Sequence, residues 1–119
     1  MPGEYYLSVK ATGGGHSVSL TNEIITINSN LIAYCTPNAY SACVVAFRPL
    51  DEKKGKYFLL IDFGFGNGEM IQIRCYYKYI KNEFRLDDYD VKYINYDATN
   101  NTAKSSTGTL EMIVFKRRY

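Results

Sequence analysis

Tryptophan is absent from this 119-residue chain, histidine occurs once, and cysteine and proline occur three times each. With His16 alone, any base-assisted nucleophile would have to recruit that one imidazole. Cys35, Cys43 and Cys75 are an odd number and too widely spaced for a structural zinc site, which needs paired ligands close together. Met1-Pro2-Gly3-Glu4 lacks the basic start of a secretory signal, so a reducing, cytoplasmic compartment with thiols rather than disulfides is expected. The Asn100-Asn101-Thr102 sequon would then carry no sugar. No apolar stretch approaches the roughly 18 residues of a membrane span. A strong surplus of one charge is missing too, and a net charge of +2 with a pI near 8.4 is too mild to predict a nucleic-acid or membrane partner.

What is present is ordinary globular material. Hydrophobic residues at 46% and charged residues at 22% match a folded domain, and the length suits one domain over 1–119 with one core. Tyrosine (12) and phenylalanine (6) are abundant, which favours strands and also suits binding surfaces.

Apolar residues alternate with polar ones far more often than they recur at helical spacing. Tyr5, Leu7, Val9 and Ala11 predict a first strand that ends at Gly13-Gly14-Gly15. Short strands are expected at 17–20, 23–28 and 31–35, with turns at Thr21-Asn22 and Asn28-Ser29-Asn30. The clearest pair is a hairpin of 56–63 and 69–80, joined through Gly64-Phe65-Gly66-Asn67-Gly68, where Asn-Gly would supply positive φ angles. Its first arm is apolar on both faces, as in a central strand covered on both sides. In its second arm Ile71, Ile73, Cys75, Tyr77 and Tyr79 face one way, and Gln72, Arg74, Tyr76 and Lys78 the other. A last strand is expected at 109–117, after a Ser/Thr/Asn-rich mobile loop over 98–108. Thr36 as cap, Pro37 at the first helical position, and Tyr40, Cys43, Val44 and Phe47 at helical spacing predict a short helix ending before Pro49. A strand over 42–47 is the alternative, and 86–96 reads equally as strand or short helix.

Few residues point to chemistry. The 64–68 glycines look superficially like a phosphate loop, but a strand follows them, so they are read as a hairpin turn. His16 reads as an exposed loop histidine, and each cysteine occupies an apolar-face position that suits a buried small residue better than a Cys–His dyad. Asp87, Asp88 and Asp90 lack the glycine and glutamate offsets of a calcium loop and read as a solvated turn or cap. No catalytic residue, metal or cofactor is assigned.

The constellation that stands out is Gln72, Arg74, Tyr76 and Lys78 on one strand face, with Lys81 beyond and Lys116, Arg117, Arg118 and Tyr119 at the end of the chain. Residues two apart on a strand project side by side, so this face interleaves cations with an aromatic ring. Such a face suits a protein hot spot, or stacked bases with phosphates nearby. Phe58 to Asn95, through Gly68, Ile71, Ile73, Cys75, Phe84 and Leu86-Asp87-Asp88-Tyr89, is slightly similar to one repeat of the cyanovirin-type lectins. That family has two such repeats, residues 1–50 show no second copy, and the resemblance implies only a sugar-binding alternative.

The expected fold is mainly β: a compact antiparallel barrel or two-layer sheet of six to eight strands with one short helix, with α+β as the alternative. The expected function is a non-enzymatic protein-interaction module, a small inhibitor that occupies a partner's surface. The Asn-, Ile-, Lys- and Tyr-leaning composition fits an accessory protein of phage, viral or pathogen type. A nucleic-acid-binding β-domain and a small-ligand or carbohydrate-binding barrel are the alternatives.

Overall fold

The computed structural model describes residues 2–28, 32–35 and 42–119, with side chains left aside for 32–35 and 42. Nine strands run through these residues: β1 (Gly3–Gly13), β2 (His16–Ile27), β3 (Ile32–Cys35), β4 (Ala42–Asp51), β5 (Lys56–Gly64), β6 (Glu69–Ile80), β7 (Glu83–Asp97), β8 (Thr102–Thr107) and β9 (Thr109–Arg117). They form two antiparallel sheets, of order β2-β1-β9 and β3-β4-β5-β6-β7-β8. The fold is therefore mainly β and two-layered. It is not a closed barrel, and it has more strands than expected.

The core lies between the layers. Tyr5, Leu7, Val9 and Ala11 of β1 are buried against Cys43, Val45 and Phe47 of β4, Leu59, Ile61 and Phe63 of β5, and Ile71, Ile73, Cys75 and Tyr77 of β6. Each fully buried Leu, Ile or Phe contributes about 1.5–3 kcal/mol of transfer free energy, so the alternation read in these strands drives the layers together. Phe84 of β7 locks one end, with its ring 5.7 Å from Tyr5, 5.2 Å from Phe115 and 5.3 Å from Phe47. Such tilted and edge-on aromatic pairs add to plain area burial.

Several expectations are corrected. The predicted helix is not formed over 42–47, which runs inside β4, while 36–41 lie outside the described residues. Cys43, Val45 and Phe47 point into the core, and Val44 and Ala46 are only half buried on the opposite face. That second apolar face disguised the strand period. The only helical turn among the described residues is the 3-10 turn Glu52–Lys54, capped by Asp51, whose carboxylate accepts from the Lys54 N–H at 3.3 Å. Residues 86–96 are strand, within β7. The loop expected over 98–108 contains β8, which pairs with β7 from Lys92↔Thr107 to Asp97↔Thr102. All six β8 side chains are exposed, so no apolar alternation announced it.

The two strands expected at 17–20 and 23–28 are one. The pairing steps from Val9↔Leu20 to Leu7↔Glu23, so Thr21 and Asn22 form a bulge. Asn22 takes φ 49° and donates its N–H to Ser8 Oγ at 2.8 Å. The extra residue switches the inward phase from Val18 and Leu20 to Ile25 and Ile27. Residues 29 and 30 of the second expected turn, and Leu31, lie outside the described residues.

The chain passes between the layers at Gly108, between β8 and β9. Its N–H donates to the Val91 carbonyl at 2.8 Å. A Cβ there would sit 2.5 Å from the Thr12 carbonyl oxygen and 2.7 Å from a Val91 methyl, so only glycine fits without a shift.

Candidate functional site

Register sets which side chains share the outer face of the six-stranded sheet. One row across it reads Arg48 on β4, Phe58 on β5, Tyr76 on β6 and Asp88 on β7. The next reads Ala46, Leu60, Arg74 and Asp90, and the one after it Val44, Asp62, Gln72 and Lys92. Among the described residues no element covers this face, which corrects the expectation that β5 is buried on both sides. Phe58 and Leu60 are only partly buried there, and Leu50 is 48% exposed.

Gln72, Arg74 and Tyr76 line one groove of about 400 Å³ together with Arg48, Leu50, Phe58 and Leu60. The Phe58 and Tyr76 rings meet edge to face at 5.2 Å, and the Arg48 guanidinium lies 5.4 Å from the Phe58 centroid. Arg74 Nε donates to Gln72 Oε1 at 2.9 Å, which holds its guanidinium along the groove. Lys78 shares the face but pairs with Asp87 at 3.7 Å. Asp62, beside Gln72, has its carboxyl raised by burial, an effect that the Gln72 hydrogen bond and the Arg74 charge oppose.

The terminal cations do not join this face. Arg117 packs over the Tyr5 ring at 5.6 Å, and Arg118 pairs with Glu4 at 3.2 Å, both on the three-stranded side. Lys81 lies at the tip of the β6–β7 turn, where Lys81 and Asn82 take φ 52° and 63°. The basic stretches of the sequence are thus divided between two layers, while an acidic row, Asp88 and Asp90, borders the groove.

A second cluster was not foreseen. His16 is no freely exposed loop histidine: its ring stacks on Phe65 at 4.3 Å, and Nε2 lies 3.2 Å from Glu69 Oε2. Tyr93 OH donates to Glu69 Oε1, and Asn67 Nδ2 donates to Oε2 at 2.7 Å. These bonds hold the Glu69 carboxyl below its ordinary range, with Tyr93 the largest cause, then Asn67, and His16 adding to them. The β5–β6 turn takes its positive φ at Gly66 (81°) and Gly68 (86°), not at Asn67, which instead accepts from the Glu69 N–H at 3.1 Å. This cluster clasps the β1–β2 hairpin to the other sheet. The only sequence signal for it was that His16 follows three glycines.

Cys75 is fully buried, and burial pushes its thiol up to about 12, far from the thiolate that a nucleophile needs. Among the described residues, no group of three or more His, Cys, Asp or Glu side chains is placed to hold a metal ion, and no helix is long and apolar enough to cross a membrane. Compared with protein-family models, with curated proteins and with solved structures, the chain matches none.

Proposed function

We propose that this protein is a non-enzymatic interaction module that binds another protein chain through the outer face of β4–β7 and acts by occupying its surface. The observation that carries the reading is the open groove in which Phe58, Leu60 and Tyr76 lie between Arg48 and Arg74. Aromatic and arginine side chains packed on a rigid scaffold are what protein hot spots are made of. The flanking carboxylates weigh against nucleic acid, because a phosphate strand laid over Tyr76 and Arg74 would meet their cross-strand neighbours Asp88 and Asp90.

The test is capture by tagged protein, with and without nuclease, comparing wild type with Phe58→Ala/Arg74→Ala/Tyr76→Ala. A nuclease-resistant, near-stoichiometric protein partner that the triple variant loses supports the reading. Recovery of nucleic acid alone, with affinity falling steeply in salt, overturns it.

A further inference from the structure

The partner chemistry that this face fits is its own. The row Arg48–Phe58–Tyr76–Asp88 crosses four neighbouring strands as cation, ring, ring, anion. Such a row is self-complementary. Let a second copy lie face to face with the first, the two-fold axis running parallel to the strands between β5 and β6. Then β4 faces the other copy's β7, β5 faces its β6, and the rows stay in step. Arg48 of each copy lies against Asp88 of the other, and Phe58 against Tyr76. Closed two-fold dimers require a patch of this kind, complementary to itself.

Neighbouring rows obey the same operation. Leu60 meets the aliphatic stem of Arg74 from the other copy, and Asp62 comes opposite Gln72. Lys56 comes opposite Lys78, the one like-charge meeting, and Asp87 neutralises it from 3.7 Å. The ion pairs of the single chain leave out Arg48, Arg74, Asp88 and Asp90: among the described residues none of the four forms a salt bridge. Their charges remain available across an interface. Sheets stacked this way sit about 10 Å apart, room for one interdigitated layer of Phe58, Leu60 and Tyr76.

We infer that the chain forms a two-fold dimer through this face, with Arg48 paired to Asp88 and Phe58 packed on Tyr76 of the opposite copy. The inference rests on the reading of the groove as a protein-binding surface and names its occupant.

The test is sedimentation equilibrium from about 1 μM to about 1 mM, a span that covers ordinary self-association. Arg48→Glu and Asp88→Arg are each measured alone and then mixed in equal amounts, with Met112→Glu on the other sheet as control and near-ultraviolet circular dichroism as the check of fold. Each single reversal places two like-charge pairs in the homodimer and is expected to weaken it about a hundredfold or more. The mixture restores both attractive pairs and is expected to recover dimer, while Met112→Glu leaves the wild-type constant unchanged. Wild type that stays monomeric, a dimer indifferent to both reversals, or a mixture that fails to recover while both variants are folded overturns the inference. If wild type is monomeric yet loses a captured partner in the Phe58/Arg74/Tyr76 variant, self-association fails and the interaction reading stands. If it is monomeric and captures nothing, both fail.

Discussion

His16 and Glu69 lie 53 residues apart in sequence, yet the imidazole Nε2 approaches the carboxylate to 3.2 Å and ties one sheet to the other. The bond sits beside the stacked Phe65 ring and shares its carboxylate with Tyr93 and Asn67. Its consequences are measurable.

Glu69 has a depressed carboxyl in the fold, so its ionised form stabilises the protein at pH values above the ordinary glutamate range. That contribution is lost as pH falls through the lower, folded value. Thermal unfolding of wild type and Glu69→Gln from neutral to acid pH is expected to show wild type ahead at neutrality and the gap closing on acidification. A gap that stays constant with pH would mean that the carboxylate charge plays no part.

Gly14 and Gly15 both take positive φ, 57° and 80°, but only Gly14 lies against the Tyr93 ring, where a Cβ would overlap it. Gly15→Ala is expected to cost about 1–2 kcal/mol for its left-handed backbone. Gly14→Ala should cost about 2–5 kcal/mol, because overpacking adds to that strain. Urea unfolding of the two variants gives the comparison, and equal costs would show that the hairpin does not press on Tyr93.

Burial holds the Cys75 thiol at about 12, whereas in an unfolded chain it ionises near 9. Its neutral form therefore contributes stability that is complete below about pH 9 and declines as pH rises toward 12. Cys75→Val is expected to flatten the alkaline decline in melting temperature. In the folded protein Cys75 should resist iodoacetamide until denaturant is added, as read by peptide mass spectrometry.

The Tyr77 hydroxyl is buried with no hydrogen-bond partner among the described residues, and burial raises its phenol. Removing an unsatisfied polar atom returns its desolvation cost, so Tyr77→Phe is expected to stabilise the fold by about 1 kcal/mol. A lower urea midpoint would instead mean that the hydroxyl has a partner.

The β5–β6 hairpin was legible almost to the residue, because its core face alternates without a break and glycines mark the turn. β4 was not, since Val44 and Ala46 give its open face the same apolar character as its buried one. β8 escaped because it is an edge strand built from polar residues and held by the β7 backbone, and backbone pairing leaves no trace in side-chain pattern. Gln72, Arg74 and Tyr76 could be assigned to one face from β6 alone. Phe58, Leu60, Arg48 and Asp88, which turn that face into a groove with an acidic border, come from three other strands, and only register aligns them. The His16 clasp is hidden for the same reason: its partners are distant in sequence.

The bulge at Thr21–Asn22 makes β2 behave like a reading frame. Upstream of it even-numbered residues face inward, downstream odd-numbered ones do, and the single extra residue is the shift between frames. Loss of Thr21 or Asn22 would close the bulge and merge the two frames into one regular alternation, with Leu7↔Glu23 and Tyr5↔Ile25 still paired and Ile25 and Ile27 still inward. A one-residue slip of β2 against β1, by contrast, would rewrite its whole message, whereas most substitutions along its exposed side would alter a single letter.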